Sequence, residues 1–165
     1  MDVDVRPVAP EEYAEAGRIT AQAYAGDPEA ASPTLDYLDR VADVATRSAH
    51  ALVLGAFRGG RPVGSVTLEL DDRIPGGHPR PPLRPDEGHV RMLGVDPAFQ
   101  RRGIARLLMW AAIEEARRAG KRRVTLETTG SMVPAHRLYE SMGFVRGSDM
   151  VFDDGFRLRT YELAL

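Results

Sequence analysis

Between Gln100 and Ala105 the chain reads Gln-Arg-Arg-Gly-Ile-Ala, with a strand-like run before it and a long amphipathic run after it. Such a junction suits anion chemistry. A helix start leaves backbone N–H groups without intrahelical acceptors and carries a partial positive charge. Gly103 has no side chain and lets an anionic ligand approach the backbone, Ala105 keeps the next turn low, and Arg101 and Arg102 add positive charge. This is the recipe for a phosphate or pyrophosphate site. The plainer reading is that Gly103 only turns the chain into the helix. The run is not a Walker loop, since no Gly-Lys-Ser/Thr follows, and it lacks the G-x-G-x-x-G triplet of dinucleotide sites. A second basic run, Arg117 to Arg123, reads as a solvated helix end whose cations complement the macrodipole, or as a phosphate contact.

The elements that must position this junction follow from periodicity. Val3, Val5 and Val8 mark a short strand, and Pro10-Glu11-Glu12 opens a helix to about Tyr24, stopped by Gly26-Asp27-Pro28. Ser32-Pro33 is expected to start a second helix carrying Leu35, Leu38, Val41, Ala42 and Ala45. Ala51–Phe57 and Val63–Leu70 form a hairpin about Arg58-Gly59-Gly60-Arg61. Asp71 to Gly88, with five prolines, is expected to be a loop, either a lid or an excursion. His89–Val95 is a strand ended by Asp96-Pro97. Gly103–Ala119 is a helix with Ile104, Leu107, Leu108, Ala111, Ala112 and Ala116 on its apolar stripe, closed by Gly120. A strand at Val124–Thr128, a short helix at Pro134–Ser141, and strands at Phe144–Val145, Met150–Phe152 and Phe156–Leu163 complete the chain.

Composition narrows the classes. The 165 residues fit a single domain spanning 1–165, with 43% hydrophobic and 28% charged residues, as in water-soluble globular proteins. With no cysteine there is no disulfide, thiolate nucleophile or zinc-thiolate site, and no metal is expected. The formal net charge of -2 gives the whole chain no electrostatic reason to seek nucleic acid. No signal peptide or membrane span is read, so the expected compartment is the cytoplasm.

The run Arg91-Met92-Leu93-Gly94-Val95-Asp96-Pro97-Ala98-Phe99-Gln100-Arg101-Arg102-Gly103-Ile104-Ala105 resembles motif A of the GCN5-related N-acetyltransferases (GNAT). Ala135-His136-Arg137-Leu138-Tyr139-Glu140-Ser141-Met142-Gly143-Phe144 resembles that family's motif B, at the right separation and in the right order. The resemblance implies an α/β (α+β) domain whose mixed sheet of about six to seven strands has a splayed parallel pair, flanked by about four helices. It implies acetyl transfer from acetyl-CoA to a primary amine of a small molecule or peptide, in a ternary complex and without metal.

Carried over residue by residue, the resemblance puts pantetheine on the backbone of Leu93, Gly94 and Val95, with an amide near Leu93 polarising the thioester carbonyl. It puts pyrophosphate at Gln100, Arg101, Arg102, Gly103, Ile104, Ala105 and Arg106. Tyr139 matches the general acid, with packing of the short helix as its other reading. His89 aligns with the general base, with Glu87 on the same face and Glu69 as a second candidate. Met132 stands where the family often has a CoA-contacting Asn, and His136 and Arg137 are candidates for the ribose phosphate. Asp27, Asp71, Asp72 and Glu87 are candidates for attracting a cationic acceptor, or ordinary surface. A homodimer stays open. The alternative is a CoA-binding sensor domain that kept the fold and lost the chemistry.

Overall fold

The computed structural model describes residues 2–29, 37–74 and 80–165. The expected helix start at Ser32-Pro33, Leu35, and Pro75 and Pro79 of the proline-rich stretch lie outside these residues. The strands are β1 (Asp4–Pro7), β2 (Leu52–Arg58), β3 (Arg61–Glu69), β4 (Glu87–Val95), β5 (Arg123–Thr129), β6 (Val145–Arg146), β7 (Met150–Val151) and β8 (Arg157–Ala164). The α-helices are α1 (Tyr13–Ala25), α2 (Tyr37–Ala42), α3 (Val44–Ser48), α4 (Ile104–Arg118) and α5 (Val133–Ser141). The sheet runs β1-β2-β3-β4-β5-β8-β6 with β7 also on β8. Among the described residues only the β4–β5 pair is parallel.

Local chemistry explains the elements. Gly59 and Gly60, with φ of 56° and 76°, supply the left-handed pair a tight β2–β3 hairpin requires. The helix expected to run through Ala45 is instead two. Asp43 leaves helical geometry between α2 and α3, and its side chain accepts from the Thr46 N–H as a new N-cap. Strand β4 begins at Glu87, inside what composition read as loop. The loop before it is clasped, with Lys121 Nζ donating to the carbonyls of Leu70 and Pro85 at 2.8 and 2.9 Å.

The main core lies between the sheet and α4. Val66 and Leu68 of β3, Val90 of β4, and Val124 and Leu126 of β5 pack with Ile104, Leu108, Met109, Ala112, Ile113 and Ala116. Each Val, Leu, Ile or Met among them contributes about 1.5–3 kcal/mol when fully buried. The expected stripe on α4 needs one correction. Leu107 is 46% exposed, and Met109 and Ile113 hold the inward positions. Helix α1 covers the opposite face, close enough that a Cβ on Gly94 would come within 3.0 Å of Thr20 Cγ2. No helix among the described residues is long and apolar enough to cross a membrane.

Candidate active site

Strands β4 and β5 separate partway along. Their register pairs Glu87 with Arg123, Gly88 with Val124 and His89 with Thr125, and then stops. Strand β4 nevertheless continues to Val95 and β5 to Thr129. Beyond His89 the edge of β4 that faces β5 therefore has backbone groups without a partner strand, which must find another partner or water. A bulge sits in this stretch. On β3, Ser65 and Thr67 are two residues apart, whereas their partners Gly94 and Arg91 are three apart. The extra residue is accommodated by Met92, at φ 55° and buried. Such a bulge re-aims the backbone of the residues after it.

The chain leaves the open end of β4 and enters α4 through a turn that ends in Gly103. Gly103 adopts φ 81°, and a Cβ built on it would meet nothing within 4 Å, so its surroundings are open. No side chain caps α4, and its first turn contains no acidic residue. The Leu107 N–H donates to the Gly103 carbonyl, which leaves the amides of Ile104, Ala105 and Arg106 ahead of the helical ladder. A 15-residue helix with an exposed, uncompensated positive end beside two arginines suits an anion. Arg101 is held at φ 62°, and Arg102 lies 5.7 Å from the centre of the Phe99 ring.

Helix α5 follows the open end of β5. Its Tyr139 is buried, with ring centres 5.8 Å from both Phe144 and Tyr161. The Tyr139 hydroxyl has no hydrogen-bond partner among the described residues. Burial, reinforced by Tyr161 and Tyr37, pushes its pKa well up, so it stays a neutral phenol with a proton to give.

The sheet face opposite α4 is polar. His89 is almost wholly buried between two carboxylates, its Nδ1 3.3 Å from Glu69 Oε1 and its Nε2 hydrogen-bonded with Glu127 Oε2. Ionised carboxylates only accept, so the doubly protonated imidazolium is the form that satisfies both contacts. Burial alone would lower the His89 pKa, but its hydrogen bonds to Glu127 and Glu69 outweigh burial and raise it. Glu69 is held below the ordinary carboxylate range: burial opposes this, and His89, Arg91 and Arg80 overcome it.

Several expected site residues meet here and others do not. Leu93, Gly94 and Val95 lie on the parted stretch of β4, and Gly103, Ile104, Ala105 and the backbone of Arg106 form the α4 entrance. Gln100 turns back, its Nε2 donating to the Val95 carbonyl at 3.1 Å, and so braces the turn. The Arg106 side chain reaches Ser141 Oγ at 2.8 Å, tying α4 to α5. His136, expected near the cofactor, is buried, its Nε2–H donating to the Thr129 carbonyl at 2.8 Å. Met132 stands at the N-cap of α5 with its sulfur 3.6 Å from Thr128 Oγ1. Glu87 is placed apart from the other expected site residues. It lies at the paired end of β4, held by Thr125 Oγ1 and by Arg84 at 3.1 Å, away from the parting. His89, expected as a base, lies buried between Glu69 and Glu127 at the last paired position of β4. The residue that sequence reasoning missed is Glu127, two positions past the last paired residue of β5. Alternation within Val124-Thr125-Leu126-Glu127, with the first and third apolar, was the available signal.

Comparison with known proteins bears on family and fold. Residues 17–144 match the model of the "Acetyltransferase (GNAT) family". A mycothiol acetyltransferase of Thermomonospora curvata is 34% identical over 130 residues, covering 78% of this chain and 39% of the relative. That of Acidothermus cellulolyticus is 32% identical over 163 residues, covering 93% of this chain and 48% of the relative. The chain thus spans less than half the length of these relatives. Among solved structures, yncA of Salmonella typhimurium, determined with its cofactor acetyl-CoA, superposes with a TM-score of 0.73. That pair is 22% identical, over 99% of this chain and 94% of the other, and shares the fold.

Proposed function

The chain belongs to the GNAT family of acetyltransferases, and from that premise we propose that it transfers an acetyl group from acetyl-CoA to a primary amine by direct attack in a ternary complex. One observation carries this reading: β4 and β5 part after His89–Thr125 at the sheet end from which the uncapped α4 departs. Open strand edge and open helix amides together suit a ligand with an amide-bearing arm and a diphosphate.

Bound acetyl-CoA supplies an activated acyl thioester. The amides of Ile104, Ala105 and Arg106, with Arg101 and Arg102, hold the diphosphate; the free edge of β4 from Leu93 to Val95 holds the arm. An amide beside the Met92 bulge donates to the thioester carbonyl as charge develops there. Glu127, held by the His89 imidazolium, accepts the proton that the amine loses as its nitrogen bonds to the acyl carbon. Tyr139 gives its proton to the sulfur as the C–S bond breaks. The raised phenol pKa supports that role, because it keeps Tyr139 protonated throughout the neutral range.

The acceptor is an amine of a small molecule or a protein. Relatives bear names of both kinds, mycothiol acetyltransferase and [ribosomal protein bS18]-alanine N-acetyltransferase. Thiol release from acetyl-CoA in the presence of an amine panel tests the reading. Acetyl-CoA binding without turnover of any amine would favour the sensor alternative instead.

A further inference from the structure

Three arginines are sunk about the polar sheet face, and two of them share Glu69 while the third has no carboxylate partner among the described residues. Arg47, on α3, is 2% exposed. Its Nε donates to Thr67 Oγ1 at 3.1 Å and its Nη1 to the carbonyls of Arg40 and Asp43 at 2.6 and 3.2 Å. No carboxylate among the described residues pairs with it, and its buried Nη2 has no partner there. The Arg91 side chain, 9% exposed, reaches Glu69 Oε1 at 3.3 Å, and its buried Nε is also without a partner. Arg80 pairs with Asp72 at 3.0 Å and with Glu69 at 3.6 Å, and its Nε too is unmatched. Glu69 is thus shared by Arg80, Arg91 and His89, while Glu127 is taken up by His89.

Buried cations without counterions are costly, and N–H groups left unmatched away from water add to that cost. An anion relieves both. The strain is visible in Arg47, whose pKa is lowered to about 10, first by burial and then by the neighbouring Arg91. The position is informative. Arg91 lies two residues past His89, inside the parted stretch of β4 and beside the Met92 bulge. Thr67, whose hydroxyl accepts from Arg47 Nε, is the register partner of Arg91 on β3, so the two arginines are neighbours on this face. The carboxylates that could have drawn a cationic acceptor are already engaged. Asp27 is bound by Thr129 and Ser131, Asp71 by Arg73, Asp72 by Arg80, and Glu87 by Thr125 and Arg84.

We propose that the acceptor carries a carboxylate close to its amine, as a free amino acid does, and that Arg91 and Arg47 receive that carboxylate while the amine points toward Glu127. This rests on the acetyltransferase reading above and names the acceptor class for it. Two guanidinium N–H groups from different elements match the two oxygens of one carboxylate.

The test measures thiol release from acetyl-CoA with the twenty common amino acids and, side by side, with the amide of each, which keeps the amine and removes the negative charge. At least one free acid is expected to exceed its amide by about 10- to 100-fold in kcat/KM, the range of one charge-assisted hydrogen bond. In Arg91→Gln that advantage is expected to shrink toward unity with the KM for acetyl-CoA unchanged. Amides used as well as acids would overturn the proposal, as would turnover confined to amines without a carboxylate. If calorimetry shows acetyl-CoA bound but no amino acid is acetylated, the acceptor class is wrong and the cofactor site stands. If acetyl-CoA does not bind, the acetyltransferase reading itself fails. The acid-to-amide ratio needs only the unaltered protein, so a misfolded variant does not spoil the test.

Discussion

The two faces of one sheet divide the labour of this protein. On the α4 side, Val66, Leu68, Val90, Val124 and Leu126 meet Leu108, Met109, Ala112 and Ile113 in a continuous apolar layer. On the other side the same strands present Ser65, Thr67, Glu69, His89, Arg91, Thr125 and Glu127; Glu69, His89, Arg91 and Glu127 are bonded to one another, and Ser65, Thr67 and Thr125 to Thr20, Arg47 and Glu87. Alternation along a strand makes this possible, since neighbouring residues face opposite ways. The apolar face holds the fold together through non-directional burial, which tolerates conservative exchange. The polar face depends on individual partners, so removing one leaves another exposed to the low dielectric.

The sharpest separation of the two faces is expected from Tyr139→Phe. Loss of the proposed proton donor lowers kcat by about 100- to 10,000-fold. Thermal stability stays close to that of the parent, because the hydroxyl has no partner among the described residues; steady-state kinetics beside a melting curve checks both halves. Leu108→Ala, on the other face, is expected to do the reverse. It costs about 2–5 kcal/mol in denaturant unfolding, with kcat per folded molecule retained. Equal effects on both readouts in both variants would break the division.

A pH series probes the polar face in the folded state. The His89 pKa is raised by Glu127 and Glu69 against the pull of burial. A raised folded-state pKa stabilises fully below the unfolded value, near 6.5, and is lost as pH rises through the folded value. The parent should therefore lose stability across that window relative to His89→Gln, by about 1.4 kcal/mol for each unit of the rise. A flat difference between the two proteins would place the proton elsewhere.

The smallest effect compares the two ends of α4. Gly103 and Gly120 have φ of 81° and 77°, and a Cβ on either would meet nothing within 4 Å. Alanine at each is expected to cost about 1 kcal/mol in stability. Only Gly103→Ala is expected to raise the KM for acetyl-CoA, by a few fold, because only that glycine borders the proposed anion site.

Much of the apolar face was legible in the chain itself. The spacing within Ile104–Ala116, with glycine at either end, located α4 closely, and the hairpin glycines located β2 and β3. Leu107 was misplaced because it lies a full residue step around the helix from Leu108, and a broad sheet selects Met109 and Ile113 instead. The polar face was legible only through resemblance and only in part. Tyr139 came with a ten-residue pattern, whereas Glu127 did not. Its partnership with His89 exists because β4 and β5 are neighbours, a fact of strand order that a linear reading does not contain. Arg47 and Arg91 were passed over for a related reason: charged residues read as surface until the covering elements are known. The parting of β4 from β5 is likewise a property of register, expected here only through the family resemblance, and no residue type announces it.

The most direct measurement is amide hydrogen exchange of the whole chain with and without saturating acetyl-CoA. Slowed exchange is expected in two separate stretches, Leu93 to Val95 on the open edge of β4 and Ile104 to Arg106 at the start of α4, with little change along α4 beyond its first turn. Binding that leaves both stretches exchanging as before, or that protects the Asp2–Phe57 side of the sheet instead, would contradict the account.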